Sequence, residues 1–168
     1  MRLAYTMTNS KGALDPLLHD TAQAVIAAGR RVAGIVQVNR DVLGTERCDM
    51  DAIVLPDGPI IRISQSLGRG ARGCRLDPEG LETAVAAAQA RLDAGADLLI
   101  VNKFGKQEAA GRGFRSLIAK ALDQGADVLV GVNQLNIDAL SAFSGGLAER
   151  LSPEQTVLLQ WINRETLS

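Results

Sequence analysis

Three short, almost wholly apolar runs constrain this chain more than any other feature: Val32 to Val38 (VAGIVQV), Asp97 to Val101 (DLLIV) and Asp127 to Val132 (DVLVGV). A run of that length without polar alternation fits a strand covered on both faces, and such strands belong to parallel sheets. Helical patterns separate them. Leu14, Leu17, Leu18, Ala22, Val25 and Ile26 recur at helical spacing and stop near Gly29. Asp77 as N-cap, with Pro78 at the first helical position, opens a second helix that runs to about Ala94. Phe114 to Gln124, Ile137 to Phe143 and a segment opened by Ser152, Pro153 and Glu154 supply three more. With Leu3 to Met7 as a first strand, the alternation predicts an α/β fold of three layers, a mostly parallel sheet with helices on both faces. Pro56-Asp57-Gly58-Pro59, set between Ala52–Leu55 and Ile60–Ser64, is turn chemistry and predicts an added β-hairpin. Residues 39 to 48 are polar and predict no element. No linker, repeat or low-complexity segment interrupts the pattern, so residues 1–168 read as one domain.

Charge and composition exclude several classes of function. Eighteen basic against 19 acidic residues leave a net charge of -1, and aromatics are 3% of the chain. Neither a phosphate-tracking surface nor base-stacking platforms can be assembled, so no nucleic-acid partner is expected. No apolar run approaches the ~20 residues that cross a bilayer. The N-terminal segment turns polar too early for a signal peptide, and a cytoplasmic protein without membrane insertion is expected. Cys48 and Cys74 lie in no C-x-x-C spacing, and His19 is the only histidine. No zinc set or histidine-based catalytic set can be built from them. Packing in a reducing compartment is the expected role of both cysteines.

In parallel α/β sheets ligands sit beyond the carboxyl ends of the strands, here the loops after Met7, Val38, Val101 and Val132. Thr8 to Gly12 stands where a phosphate loop would. Aligning Lys11 with the lysine of G-x-x-x-x-G-K-[ST] puts Tyr5 and Ser10 on the glycines and Gly12 on the hydroxyl residue, so one fixed position survives. An anion can still rest on the helix N-terminus beside Asn9, Ser10, Lys11 and Gly12, and an ordinary strand–helix connection is the alternative. Gly68 to Gly73 spells G-x-G-x-x-G, but it follows a hairpin and Cys74, Arg75 and Leu76 intervene before the helix. The dinucleotide fingerprint is rejected. What remains is a loop with Arg69, Arg72 and Arg75, suited to anion contact or to a solvated surface. Asn102 to Glu108, delivered by a buried strand, is the most informative segment. Arg62, Arg69, Arg72, Arg75, Lys103, Lys106, Arg112 and Arg115 make up eight of the 18 basic residues. If their loops converge they form a local positive site for phosphate or another oxyanion, and solubility charge is the alternative.

Asp97 to Glu108 resembles the strand and Walker B region of the thermophilic-type nucleoside-triphosphatases, roughly D-L-I-V-I-D-E-I-G-K-M-E. Gly105, Lys106 and Glu108 match it, while Asn102 and Lys103 replace its Asp-Glu pair. Ile63 to Gly70, Gly73 to Pro78 and Asn102 to Gly113 resemble a family of uncharacterised bacterial proteins often encoded beside molybdate transport genes, which looks like a degenerate branch of the P-loop fold.

That resemblance implies a single P-loop-NTPase-like domain binding a nucleotide or an oxyanion such as molybdate without hydrolysis, in the service of molybdenum handling. Lys11 and the N–H groups of Asn9 to Gly12 would meet the phosphate-like oxygens. Lys103, Lys106 and Arg112 would supply charge, while Gly105, Gly111 and Gly113 allow close backbone approach. Glu108 would orient a lysine or a bound water. The alternatives are a divergent nucleoside-triphosphatase, with Asn102, Glu108 and Asp57 as its candidate magnesium and water ligands, and an interaction module with a vestigial nucleotide site. Expected partners are a small anionic ligand, a molybdenum transport or enzyme component, and a second copy in a homo-oligomer. The strands at Leu3 to Met7 and Asp97 to Val101 should be parallel and near neighbours, bringing Lys11 and Lys103 to the same side.

Overall fold

The structure is a computed structural model and describes residues 2–10, 12–41, 48–65 and 75–164. Along the chain run β1 (Leu3–Thr6), α1 (Leu14–Ala27), β2 (Val32–Asp41), β3 (Cys48–Val54), β4 (Ile60–Arg62), α2 (Pro78–Asp93), β5 (Leu98–Phe104) and α3 (Lys106–Ala109). They are followed by α4 (Arg115–Asp123), β6 (Asp127–Val132), a 3-10 turn at Gln134–Asn136, α5 (Ile137–Ser144), β7 (Glu149–Leu151) and α6 (Gln155–Asn163). The seven strands form one sheet in the order β4-β3-β2-β5-β6-β1-β7. Strands β2, β5, β6, β1 and β7 are parallel, and β3 and β4 join as the antiparallel hairpin that the Pro–Asp–Gly–Pro turn predicts.

Each buried strand feeds both faces. On one, α1 and α6 set Leu18, Val25, Leu158 and Trp161 against Ala4, Val32, Leu98, Ile100 and Leu129. On the other, α2, α4 and α5 set Leu81, Leu92, Ile118 and Leu140 against Ile35, Leu99, Val101 and Val130. Each such Leu, Ile or Val side chain contributes ~1.5–3 kcal/mol on leaving water, so the two layers dominate the stabilisation of the sheet. The α2 start is the one read from sequence: Asp77 accepts the Glu79 N–H at 3.1 Å, with Pro78 in the first turn.

Several boundaries differ from expectation. The polar residues 39–48 do contain strand, because β2 runs on to Asp41 and pairs with β3 from Cys48. β5 continues to Phe104, so Asn102 and Lys103 belong to a strand rather than a loop, with an irregularity between Val101 and Phe104. Cys48 is disulfide-bonded, which corrects its assignment to packing; Cys74 lies outside the described residues. β1 and β5 are parallel as expected but are second neighbours, with β6 between them. Asp57 sits in the turn after β3, and the adjoining Leu55 N–H bonds to Gly34, near the start of β2. That end of the sheet is opposite the strand carboxyl ends, and Asp57 pairs there with Arg91 at 2.7 Å. It therefore cannot join a site beyond β1 and β5.

Candidate functional site

Helix α1 leaves β1 and crosses β6 so closely that a Cβ on Gly131 would fall against the Asn102 carbonyl and the side chains of Leu14 and Leu18. This approach carries the first turn of α1 over to β5 and β2. Asp15 lies in that turn, where the positive end of the helix favours an acid. Asn102, only 1% exposed, donates through Nδ2 to Asp15 Oδ1 at 2.7 Å and accepts the Gln37 N–H through Oδ1 at 3.0 Å. Asp15 Oδ2 accepts from Asn39 Nδ2 at 3.0 Å, and Asn39 Oδ1 accepts from Gln37 Nε2 at 2.8 Å. The network fixes the orientation of the Asn102 amide. Turned over, it would set its oxygen against a carboxylate and its NH2 against an N–H. Asp15, Gln37 and Asn39 were not singled out from sequence; the available signal was a lone amide ending an apolar strand, which needs a buried partner.

Around Gly105 to Phe114 the backbone is tied down by two carboxylates. Glu108, 3% exposed, accepts the Gly105 N–H through Oε1 at 2.8 Å and the Phe114 N–H through Oε2 at 2.9 Å. Glu82, on α2, accepts the Gly113 N–H at 2.9 Å. Burial pushes the Glu108 carboxyl above its ordinary range, against the pull of its backbone hydrogen bonds. Both its oxygens thus accept from backbone amides; of the lysine or bound water it was expected to orient, no lysine pairs with it among the described residues. Gly113, at φ +61°, leaves room for this carboxylate, on which any Cβ would collide. Glu82 gave no signal in the sequence, being one acid among several on a helix.

The cations separate into two groups. Lys103 and Lys106 are exposed and have no ion pair among the described residues. Arg112 bonds to Gln107 Oε1 at 3.1 Å, and Arg115 stacks over Phe143 at 5.2 Å. Arg62 is taken up by Asp51 at 2.6 Å and Asp49 at 3.4 Å, so it adds no free positive charge. Arg75 is exposed and its carbonyl accepts from the Gln65 N–H at 2.8 Å. Lys11, Arg69 and Arg72 lie outside the described residues. Asn9, Ser10 and Gly12 are exposed ahead of α1, whose N-terminus has no side-chain cap. Gly12 takes φ +79° with open space where a Cβ would be. A cavity of about 480 Å³ beside Gly12 is lined by Asp15, His19, Asp20, Gln37 and Asn39. A second, of about 240 Å³, opens on the other face of the sheet beneath Lys103 and Lys106. Leu76, just beyond the arginine loop, lines that second cavity.

Residues 3–161 match the family described as "Protein of unknown function (DUF2478)". The chain belongs to the DUF2478 family. This DUF2478 chain is 41% identical over 161 residues to the Molybdenum import ATP-binding protein ModC 2 of Bradyrhizobium diazoefficiens, across 95% of its own length and 18% of that protein's. It thus spans less than a fifth of that relative. Two solved structures share its fold, each with a TM-score of 0.67 over 98% of this chain and all of the other: THEP1 from Aquifex aeolicus, at 16% identity, and a human cancer-related nucleoside triphosphatase, at 14%. The DUF2478 fold is therefore P-loop-NTPase-like, as the strand pattern and the Walker B resemblance led one to expect.

Proposed function

We propose that this DUF2478 domain binds a nucleotide or another oxyanion beyond the carboxyl ends of β1 and β5 and does not hydrolyse it. The observation that carries this reading is the Asn102 amide. P-loop enzymes hold magnesium there with a carboxylate and a P-loop hydroxyl. Here the amide is bonded at both ends and Asp15 already accepts two amide donors, so the donor set does not fit a divalent cation. Gly12 stands where the hydroxyl would be. Binding itself draws on the uncapped α1 N-terminus, on the backbone of Asn9 to Gly12 and on Lys11, with Lys103, Lys106 and Arg112 as further positive charge. Gly111, exposed at φ +87°, leaves the backbone of the second loop open to close approach.

The relative's name makes molybdate a ligand to test beside nucleotides, and a molybdenum transport or enzyme component the partner to look for. Isothermal titration with ATP, GTP, molybdate and tungstate checks the reading. At least one should bind at millimolar concentration or below, without magnesium, and phosphate release should stay at background. Silence from all four ligands would overturn the binding reading, and magnesium-dependent turnover would replace it with a divergent nucleoside-triphosphatase.

A further inference from the structure

Lys103, next to Asn102 on β5, shares its cavity lining with Ile35, Leu81 and Phe114 of the core layer opposite α1. This is the 240 Å³ cavity, whose walls include Ile35, Met50, Ile63, Leu81 and Phe114 and whose mouth carries Lys103, Lys106 and Gln107. All of those wall residues except the half-buried Met50 are almost completely withdrawn from solvent. The apolar side of this lining favours contact with apolar atoms over water, while Gln37, Asn102 and Glu108 add polar groups to the rest of it. The two lysines above it have no carboxylate partner among the described residues. The Glu108 carboxylate also lines the cavity, with its oxygens accepting the backbone N–H groups of Gly105 and Phe114, while Glu82, outside the lining, accepts that of Gly113. Their proximity disfavours a ligand of high negative charge density and leaves room for a single one.

We infer that this cavity binds a small organic monoanion, with an aromatic or branched aliphatic body against Ile35, Leu81 and Phe114 and a carboxylate between Lys103 and Lys106. Its volume holds a body on the order of ten non-hydrogen atoms. A helix or a strand from another chain is too large for it. The apolar part supplies most of the affinity, and the lysines select the charged head over a neutral one. The site does not rest on the oxyanion reading given above, although both draw on Lys103 and Lys106.

The test is a titration of the isotopically labelled full chain, followed through its backbone amide resonances, with benzoate, 4-methylvalerate, benzamide and inorganic phosphate. Benzoate and 4-methylvalerate should shift the amides of Ile35, Met50, Gln107 and Phe114 at millimolar concentration or below. Benzamide should bind at least fivefold more weakly, and phosphate should leave the wall residues unmoved. Lys103→Ala and Lys106→Ala, both at exposed positions, should each weaken benzoate binding roughly five- to tenfold. Met50→Trp, which fills the cavity from its rim, should abolish it. Equal binding of benzoate and benzamide, or shifts confined to other residues, would overturn the inference. Carboxylates that fail while ATP or molybdate binds would remove this site and leave the oxyanion reading standing; the reverse result would remove the other.

Discussion

Asn102 and Asp15, 87 positions apart, are matched as donor and acceptor, and that match makes their chemistry transferable. Asn102→Asp alone would set two carboxylates against each other, the one on β5 buried and the one on α1 partly buried. It should cost about 2–4 kcal/mol near neutral pH. Asp15→Asn alone leaves one amide NH2 facing another donor and should cost about 1–3 kcal/mol. Exchanging both restores every hydrogen bond: the carboxylate now on β5 would accept from Gln37 and from the amide now on α1, and that amide's oxygen would accept from Asn39. Urea unfolding of the two single variants and the exchange should therefore show the exchange more stable than either single change, whereas additive losses would contradict the pairing. Glu108 makes a second prediction at this scale. Its folded carboxyl titrates above the unfolded one, so the folded state holds the extra proton between the two values. Its contribution is then fully present below the ordinary range near 4.5 and is lost as pH rises through the raised value. Glu108→Gln keeps one acceptor for two backbone donors and should lose about 1–3 kcal/mol. The wild-type advantage over it in urea midpoints should shrink as pH rises; an advantage that grows would reverse the sign of the shift.

At the scale of elements, the turn from α3 to α4 is shaped by a few glycines of unequal importance. Gly113 is buried at φ +61° with its Cβ direction occupied by the Glu108 carboxylate. Gly111, at φ +87°, is exposed, and the nearest atom to an added Cβ is the flexible Arg115 guanidinium at 3.3 Å. Gly113→Ala should therefore cost about 2–4 kcal/mol and Gly111→Ala about 1 kcal/mol. Hydrogen exchange locates the difference: Gly113→Ala should deprotect the Gly105 and Phe114 amides while β5 and β6 stay protected. Uniform deprotection of the whole sheet would show that this turn is not an independent unit. On β6, Gly131 acts between elements, because the gap it leaves is what α1 crosses.

Across the whole molecule, the strands that could be read from sequence are those buried on both faces, VAGIVQV, DLLIV and DVLVGV, since burial dictates their side chains. The hairpin was readable from its turn, and α2 from its cap. What escaped was held by backbone ladder rather than side-chain pattern: the polar end of β2, the start of β3 and the three residues of β7. At the site, sequence named Asn102, Glu108, Gly105 and Gly113 because polar groups and glycines at the end of a buried strand stand out. It missed Asp15, Gln37, Asn39 and Glu82, whose meaning depends on partners brought close only by α1 and α2. The strand order has an effect of its own. Among the described residues the sheet ends in β4 at one border and β7 at the other, each three residues long. β4 follows Pro59, which has no N–H to offer, and β7 presents exposed Glu149 and Arg150. Two such stubs offer a visiting strand few unpaired amides and a charged fringe. The molecule thus keeps its long apolar strands in the interior and meets its neighbours with borders too brief to template polymer growth.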